Sequence, residues 1–181
     1  MSDLTEETIN SETVFEGAII TLRRETVRLP NGNLSQREIV GHPGAAAIIA
    51  RTAAGEYLLV RQYRKAVEKE LWELPAGKLD DQEDPLTCAQ RELAEETGYQ
   101  AKVWRKLTAI YTTPGFSNEV IHIYQADQLF PDPRGIHGDV DEFVEVGLFS
   151  EDQVKKMIGQ GVLCDAKSLA GLVTYWAGRG E

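Results

Sequence analysis

The 181-residue chain has only two cysteines, Cys88 and Cys164. Two thiols make no disulfide framework, so a reduced, cytoplasmic setting is expected. No apolar run approaches the ~20 residues that a membrane span needs. The opening stretch MSDLTEETINSE is acidic and lacks the apolar centre of a secretion signal. Basic residues are scarce as well: 19 lysines and arginines face 29 aspartates and glutamates, for a formal net charge of −10. That balance argues against nonspecific nucleic-acid binding, which needs a basic surface to displace counterions. No Pro/Ser-rich or low-complexity segment offers a linker, and no internal repeat is visible. Nucleophile signatures such as G-x-S-x-G are absent, as is EF-hand spacing. His42, His122 and His137 share no metal-ligand spacing.

What is present is concentrated between Leu71 and Tyr99, LWELPAGKLDDQEDPLTCAQRELAEETGY. It reads as a short strand, a glycine loop and one compact helix. Asp84 followed by Pro85 is a helix start: the aspartate caps free N–H groups, and proline at the first position has no N–H to waste. Gly98 is the matching stop, because glycine accepts the left-handed turn that closes a helix. At ~100° per residue, Leu86, Ala89 and Leu93 fall on one stripe that faces the core. Glu92 and Glu96, four residues apart, project together from its border, where like charges repel. No lysine lies between Asp80 and Tyr99, and a shared cation would relieve the repulsion.

The rest of the chain reads mainly as strands. Thr13 to Arg28 forms one or two, the turn Leu29-Pro30-Asn31-Gly32-Asn33 follows, and Leu34 to Val40 returns, with Asn-Gly as the hairpin signal. A small antiparallel sheet is therefore predicted over residues 1–43, ahead of a main domain over 44–181. Ala45–Arg51, Tyr57–Arg64, Leu107–Thr112, Val120–Ala126 and Phe143–Phe149 supply the main sheet. One helix runs from its Ser150 cap to about Ile158, and another from Asp165 or Ala166 to about Trp176. The length suits one principal domain, and the helices would cover both faces of the sheet.

The central stretch has a further regularity. Gly77 is followed after five residues by Glu83, and after seven more by Arg91-Glu92-Leu93-Ala94-Glu95-Glu96-Thr97-Gly98. This resembles the Nudix box, G-x5-E-x7-R-E-U-x-E-E-x-G-U with U aliphatic. A chance match to its fixed positions is on the order of 10⁻⁹ per starting position. Tyr99 stands where the box ends on an aliphatic residue, and a tyrosine fills that packing site. The resemblance implies an α/β/α sandwich around a mixed sheet, with the box as loop, helix and loop.

It also implies a reaction, hydrolysis of a diphosphate. That chemistry needs an activated water, neutralised phosphate charge and a fixed line of attack, which Mg²⁺ (or Mn²⁺) on oxygen ligands supplies. Glu92 and Glu96 are the expected ligands, and by resemblance the carbonyl of Ala76 joins them beside Gly77. Glu95 stands between ligation and an ion pair with Arg91, and Glu83 between a cap and an outer ligand. Arg91 and Glu95 enter the list of catalytic candidates.

Features outside the box resemble the ADP-ribose pyrophosphatase branch of the family. Pro114 follows Gly98 by 16 positions, within TTPGFSNE, so Phe116 is a candidate for the ribose side. VRQYRK resembles V-x-Q-[YF]-R, in which Arg64 would clamp phosphate. QREIVGHPG resembles the adenine-side segment, with Arg37 and Glu38 as purine contacts. In that branch the base comes from an acidic loop after the box; here Glu142 is the first choice, Asp141 the second and Glu145 the third. The expected reaction is Mg²⁺-dependent hydrolysis of ADP-ribose to AMP and ribose 5-phosphate. The alternatives are another nucleoside diphosphate sugar such as GDP-mannose, a damaged nucleotide, or a non-catalytic ligand sensor. The resemblance further implies a homodimer with composite sites, built through the N-terminal sheet.

Overall fold

The computed structural model describes residues 3–136 and 143–178. They fall into two compact units, one holding the chain up to Gly44 with Tyr111–Val120, the other holding the remainder.

The first unit is built on a three-stranded antiparallel sheet of β1 (Glu7–Glu16), β2 (Thr21–Arg28) and β3 (Leu34–Gly41). The expected hairpin is there, and Gly32 takes the positive φ of 85° that its turn requires. β1 starts at Glu7, well before the expected Thr13. All ten of its residues are exposed, so no apolar alternation announces it. Opposite charges across the strands hold it instead: Glu7 faces Arg28, and Arg24 Nη2 lies 2.6 Å from Glu12.

The second unit contains β4 (Ala45–Arg51), β5 (Tyr57–Arg64), β6 (Lys69–Glu73), β7 (Ala76–Lys78), α1 (Pro85–Thr97), β8 (Tyr99–Tyr111), β9 (Val120–Pro131), β10 (Glu145–Phe149), α2 (Glu151–Gly159) and α3 (Ala166–Ala177). Its mixed sheet runs β10-β5-β4-β9-β8; β4 and β9 are parallel, and β4 and β5 antiparallel. β8 and β9 are longer than expected, and β10 begins two residues later than Phe143.

β4 carries the core on both faces, as its near-continuous apolar run demands. Ala46, Ile48 and Ala50 pack with Cys88, Ala89 and Leu93 of α1. Ile49, on the opposite face, packs with Val154 of α2 and with Leu172 and Tyr175 of α3. The result is the α/β/α sandwich. No helix of the described residues is long and apolar enough to cross a membrane.

One departure from a plain sheet places the site. β4 and β5 pair only at Ala50–Leu58 and Arg51–Tyr57. Beyond that point the strands part, β6 continues along β5, and β7 takes the vacated edge of β4 at Ala45–Ala47. The chain between β6 and β7 crosses this fork, and the Pro75 carbonyl accepts from Ile48 N–H at 2.9 Å. Ala76 and Gly77 are thereby delivered, in strand geometry, against α1.

Candidate active site

α1 forms as its sequence predicts. Asp84 accepts from the N–H groups of Leu86 (3.0 Å) and Thr87 (3.2 Å), Pro85 opens the helix, and Gly98 closes it with φ 69°. Leu93 and Ala89 are fully buried, and Leu86 is partly so. Glu92 and Glu96, on the edge of that stripe, are themselves buried, with exposures of 8% and 3%. Two neighbouring carboxylates are rarely taken from water unless something compensates them.

Part of that compensation lies in the chain itself. Ala76 N–H donates to Glu96 Oε2 at 3.0 Å, and Gln62 Nε2 reaches Glu96 Oε1 at 3.4 Å. Arg91 Nη1 donates to Glu92 Oε1 at 2.7 Å and to Glu95 Oε2 at 3.0 Å. Its Nε and Nη2 engage Glu83 at 3.0 and 2.9 Å. Arg91 is thus a hub inside the box, and Glu95 is committed to it as an ion pair. Four glutamates against one guanidinium leave the cluster with an excess of three negative charges.

Gly77 lies close against Glu92: a Cβ built there would overlap its carboxylate, so a larger residue would push that carboxylate out of its place. Beneath the loop, the Cys88 thiol donates toward the Gly77 and Lys78 carbonyls at 3.6 and 3.4 Å. Burial, then the charges of Glu83 and Glu92, push this thiol up to about 12.

Two buried carboxylates in an acidic cluster suit a hard dication, which takes oxygen ligands. Among the described residues no three His, Cys, Asp or Glu side chains gather into a cation cage. Water and the substrate's own phosphates would complete the shell, as is usual for Mg²⁺.

Hydrogen bonds from Arg91 hold the Glu83 carboxyl down to about 2, against 4.5 in the free side chain. A depressed carboxyl contributes stability that is complete above its unfolded value and drains away as pH falls through the folded one. The stability difference between wild type and Glu83→Gln should therefore be flat above ~pH 5 and shrink from 4.5 down to about 2. Urea melts across that range check it, and a difference that does not change there would mean the pair carries no stability.

Arg64 ends β5 with its side chain 40% exposed. Its guanidinium grips Glu73 side-on, Nε to Oε1 at 3.0 Å and Nη2 to Oε2 at 2.7 Å. Glu73 is 2% exposed, and Lys167 of α3 also donates to it. Sequence reasoning passed over Gln62, Glu73 and Lys167. A lone acid in the apolar run LWEL was the available sign for Glu73, whereas Lys167, 94 residues away, left no sign at all.

Arg37 is intermediate in exposure and bound to Glu6 at 2.6 Å, while Glu38 is exposed. As successive residues of β3 they point to opposite faces of that sheet. Phe116 is 53% exposed in the turn after Thr113, and its carbonyl accepts from Val40 N–H at 2.7 Å. Glu145, on β10, is bound to Arg61 at 2.7 Å. Glu142, Asp141 and His137 lie outside the described residues.

A model of the NUDIX domain matches residues 41–170, and one of the nucleoside diphosphate sugar hydrolase N-terminal domain matches 6–40. The chain belongs to the Nudix family. Within it, the chain is 45% identical to the ADP-ribose pyrophosphatase of Bacillus subtilis strain 168, covering 93% of this chain and 91% of that one. It is 43% identical to the methanol dehydrogenase activator of Bacillus methanolicus, covering 91% and 89%. A crystal structure described as an ADP compounds hydrolase shares the fold, with a TM-score of 0.86 and 21% identity over 99% of both chains. Nudix hydrolases generally act with divalent metal ions, which fits the buried carboxylates of α1.

Proposed function

We propose that the protein hydrolyses the diphosphate of ADP-ribose, releasing AMP and ribose 5-phosphate, with Mg²⁺ as the working ion and Mn²⁺ as a substitute. The observation that carries the reading is the pair of buried carboxylates, Glu92 and Glu96, held under the Ala76-Gly77 loop. A dication on those oxygens neutralises phosphate charge and makes water nucleophilic. The chain's own residues do the remainder. Arg64 offers its guanidinium edge to a phosphate oxygen, Arg91 and Glu95 keep Glu92 in place, and Glu142 takes the proton of the attacking water. Arg37 or Glu38 and Phe116 are assigned to the adenosine and ribose ends. The N-terminal sheet, residues 1–43, serves as the dimerisation element that brings a second copy to the site.

The choice of ADP-ribose over GDP-mannose or a damaged nucleotide rests on Pro114, the VRQYR segment and the similarity to ADP-ribose pyrophosphatases. A metal-dependent release assay over a panel of nucleoside diphosphate compounds tests it. ADP-ribose should rank among the best by kcat/KM, and a low rank would defeat the substrate assignment. A chain that binds ADP-ribose without turning it over would instead be a sensor, the reading that retention of every box carboxylate argues against.

A further inference from the structure

The buried contacts of Arg64 reach beyond β5 and β6. Glu73, which holds the guanidinium, is shared with Lys167, and Lys167 in turn lies 2.9 Å from Asp165. Lys167 is itself largely buried, at 12% exposure. It is fixed in place by the start of α3: Asp165 caps the helix through Ser168 N–H at 3.1 Å, and Ser168 Oγ accepts from Leu74 N–H at 2.8 Å. Gly171 lets that helix close onto Leu74, its absent Cβ standing 3.1 Å from the leucine methyl. The lysine is therefore locked onto the residue next to Leu74. Burial pushes the Glu73 carboxyl up, but the hydrogen bonds and charges of Arg64 and Lys167 outweigh it and hold it below the ordinary range.

Counted with Asp165, the four groups carry no net charge, so the arrangement fixes geometry and supplies no net field. We infer that Lys167 is a positioning residue for Arg64: it anchors Glu73, the carboxylate they share, and Glu73 in turn fixes the plane of the fork that meets the substrate's phosphate. The recorded bonds use Nε and Nη2, and Nη1 makes no hydrogen bond among the described residues. That nitrogen is the one left to meet an oxygen. Lys167 lies one carboxylate behind the arginine, so it acts on the ligand through Arg64 and not by contact. The inference rests on the reading of Arg64 as the phosphate arm.

A bidentate arginine depends on its alignment, so a fork left loose by the loss of Lys167 should weaken phosphate binding roughly tenfold. Lys167→Met should raise KM for the preferred substrate ~10-fold, with kcat within about twofold of wild type. Lys167→Arg should restore most of the KM. Lys167→Gln, whose shorter, uncharged side chain no longer holds Glu73, is measured in parallel and should behave as the Met variant, so the result does not depend on one variant folding. The deciding measurement is a double-mutant cycle: in an Arg64→Ala background, Lys167→Met should shift KM by less than about twofold. Mn²⁺ affinity should stay near wild type in every variant, and a single cooperative melt shows that each is folded, although loss of the buried cation lowers the midpoint of Lys167→Gln.

Full additivity of the two substitutions, or an unchanged KM in both Lys167→Met and Lys167→Gln, would overturn the coupling. A different failure marks the underlying reading. If Arg64→Ala alone leaves KM unchanged, Arg64 is not the phosphate arm, and the role given to Lys167 falls with it.

Discussion

Glu96→Gln should reduce kcat/KM by at least ~10³-fold at millimolar Mg²⁺ while the protein stays folded, since ~4 kcal/mol of lost transition-state stabilisation corresponds to that factor. The amide has nearly the shape of the carboxylate, so its oxygen can still accept the Ala76 N–H that Glu96 Oε2 accepts at 3.0 Å. What it cannot do is carry the negative charge that holds a dication. The change also removes a buried charge from beside Glu92, and like charges four residues apart on a helix repel by a few tenths of a kcal/mol. The thermal midpoint should therefore hold or rise slightly as activity falls. Loss of activity with a lowered midpoint would indicate damage to α1. Activity that survives at ordinary metal concentrations would show that this helix is not the metal site.

Glu142→Gln should leave metal binding and KM nearly intact and lower kcat by ~10²–10⁴-fold, the usual range for a lost general base. The acidic limb of the kcat–pH profile should vanish with it, because the group whose deprotonation it reports has gone. Both substitutions remove a carboxylate, yet they separate by readout: the first weakens Mg²⁺ binding, the second spares it. Near wild-type kcat in Glu142→Gln would remove Glu142 from the role and turn attention to Asp141.

Much of the second unit was legible because several local signals coincided. Asp84-Pro85, the Leu86/Ala89/Leu93 stripe and Gly98 each point to the same helix, and the structure has it over Pro85–Thr97. Ser150 and Asp165 cap α2 and α3 as their sequences suggest. β8 was harder: in its first half Lys102, Val103 and Arg105 are exposed, and Tyr99, Ala101 and Trp104, which pack on the core, break strict alternation. β1 was obscured for the same reason, since cross-strand charge pairing, not burial, holds its first residues.

At the site, the two carboxylates were readable from spacing because a helix makes spacing local. The loop glycine was readable only as part of a pattern; its physical reason, the proximity of Glu92, exists only in three dimensions. The Arg64–Glu73–Lys167 chain required the fork between β4 and β5 and the docking of α3, neither of which leaves a trace in residue order.

The two thiols differ in a way of practical use. Cys88 lies under the Gly77 loop, where burial and the charges of Glu83 and Glu92 suppress its thiolate. Cys164 is exposed and adjoins Asp165, the cap of α3. Thiol-directed dyes should therefore attach at a single place on the unaltered chain. That place is three residues along the backbone from Lys167, so fluorescence there could follow phosphate occupancy without any engineered attachment point.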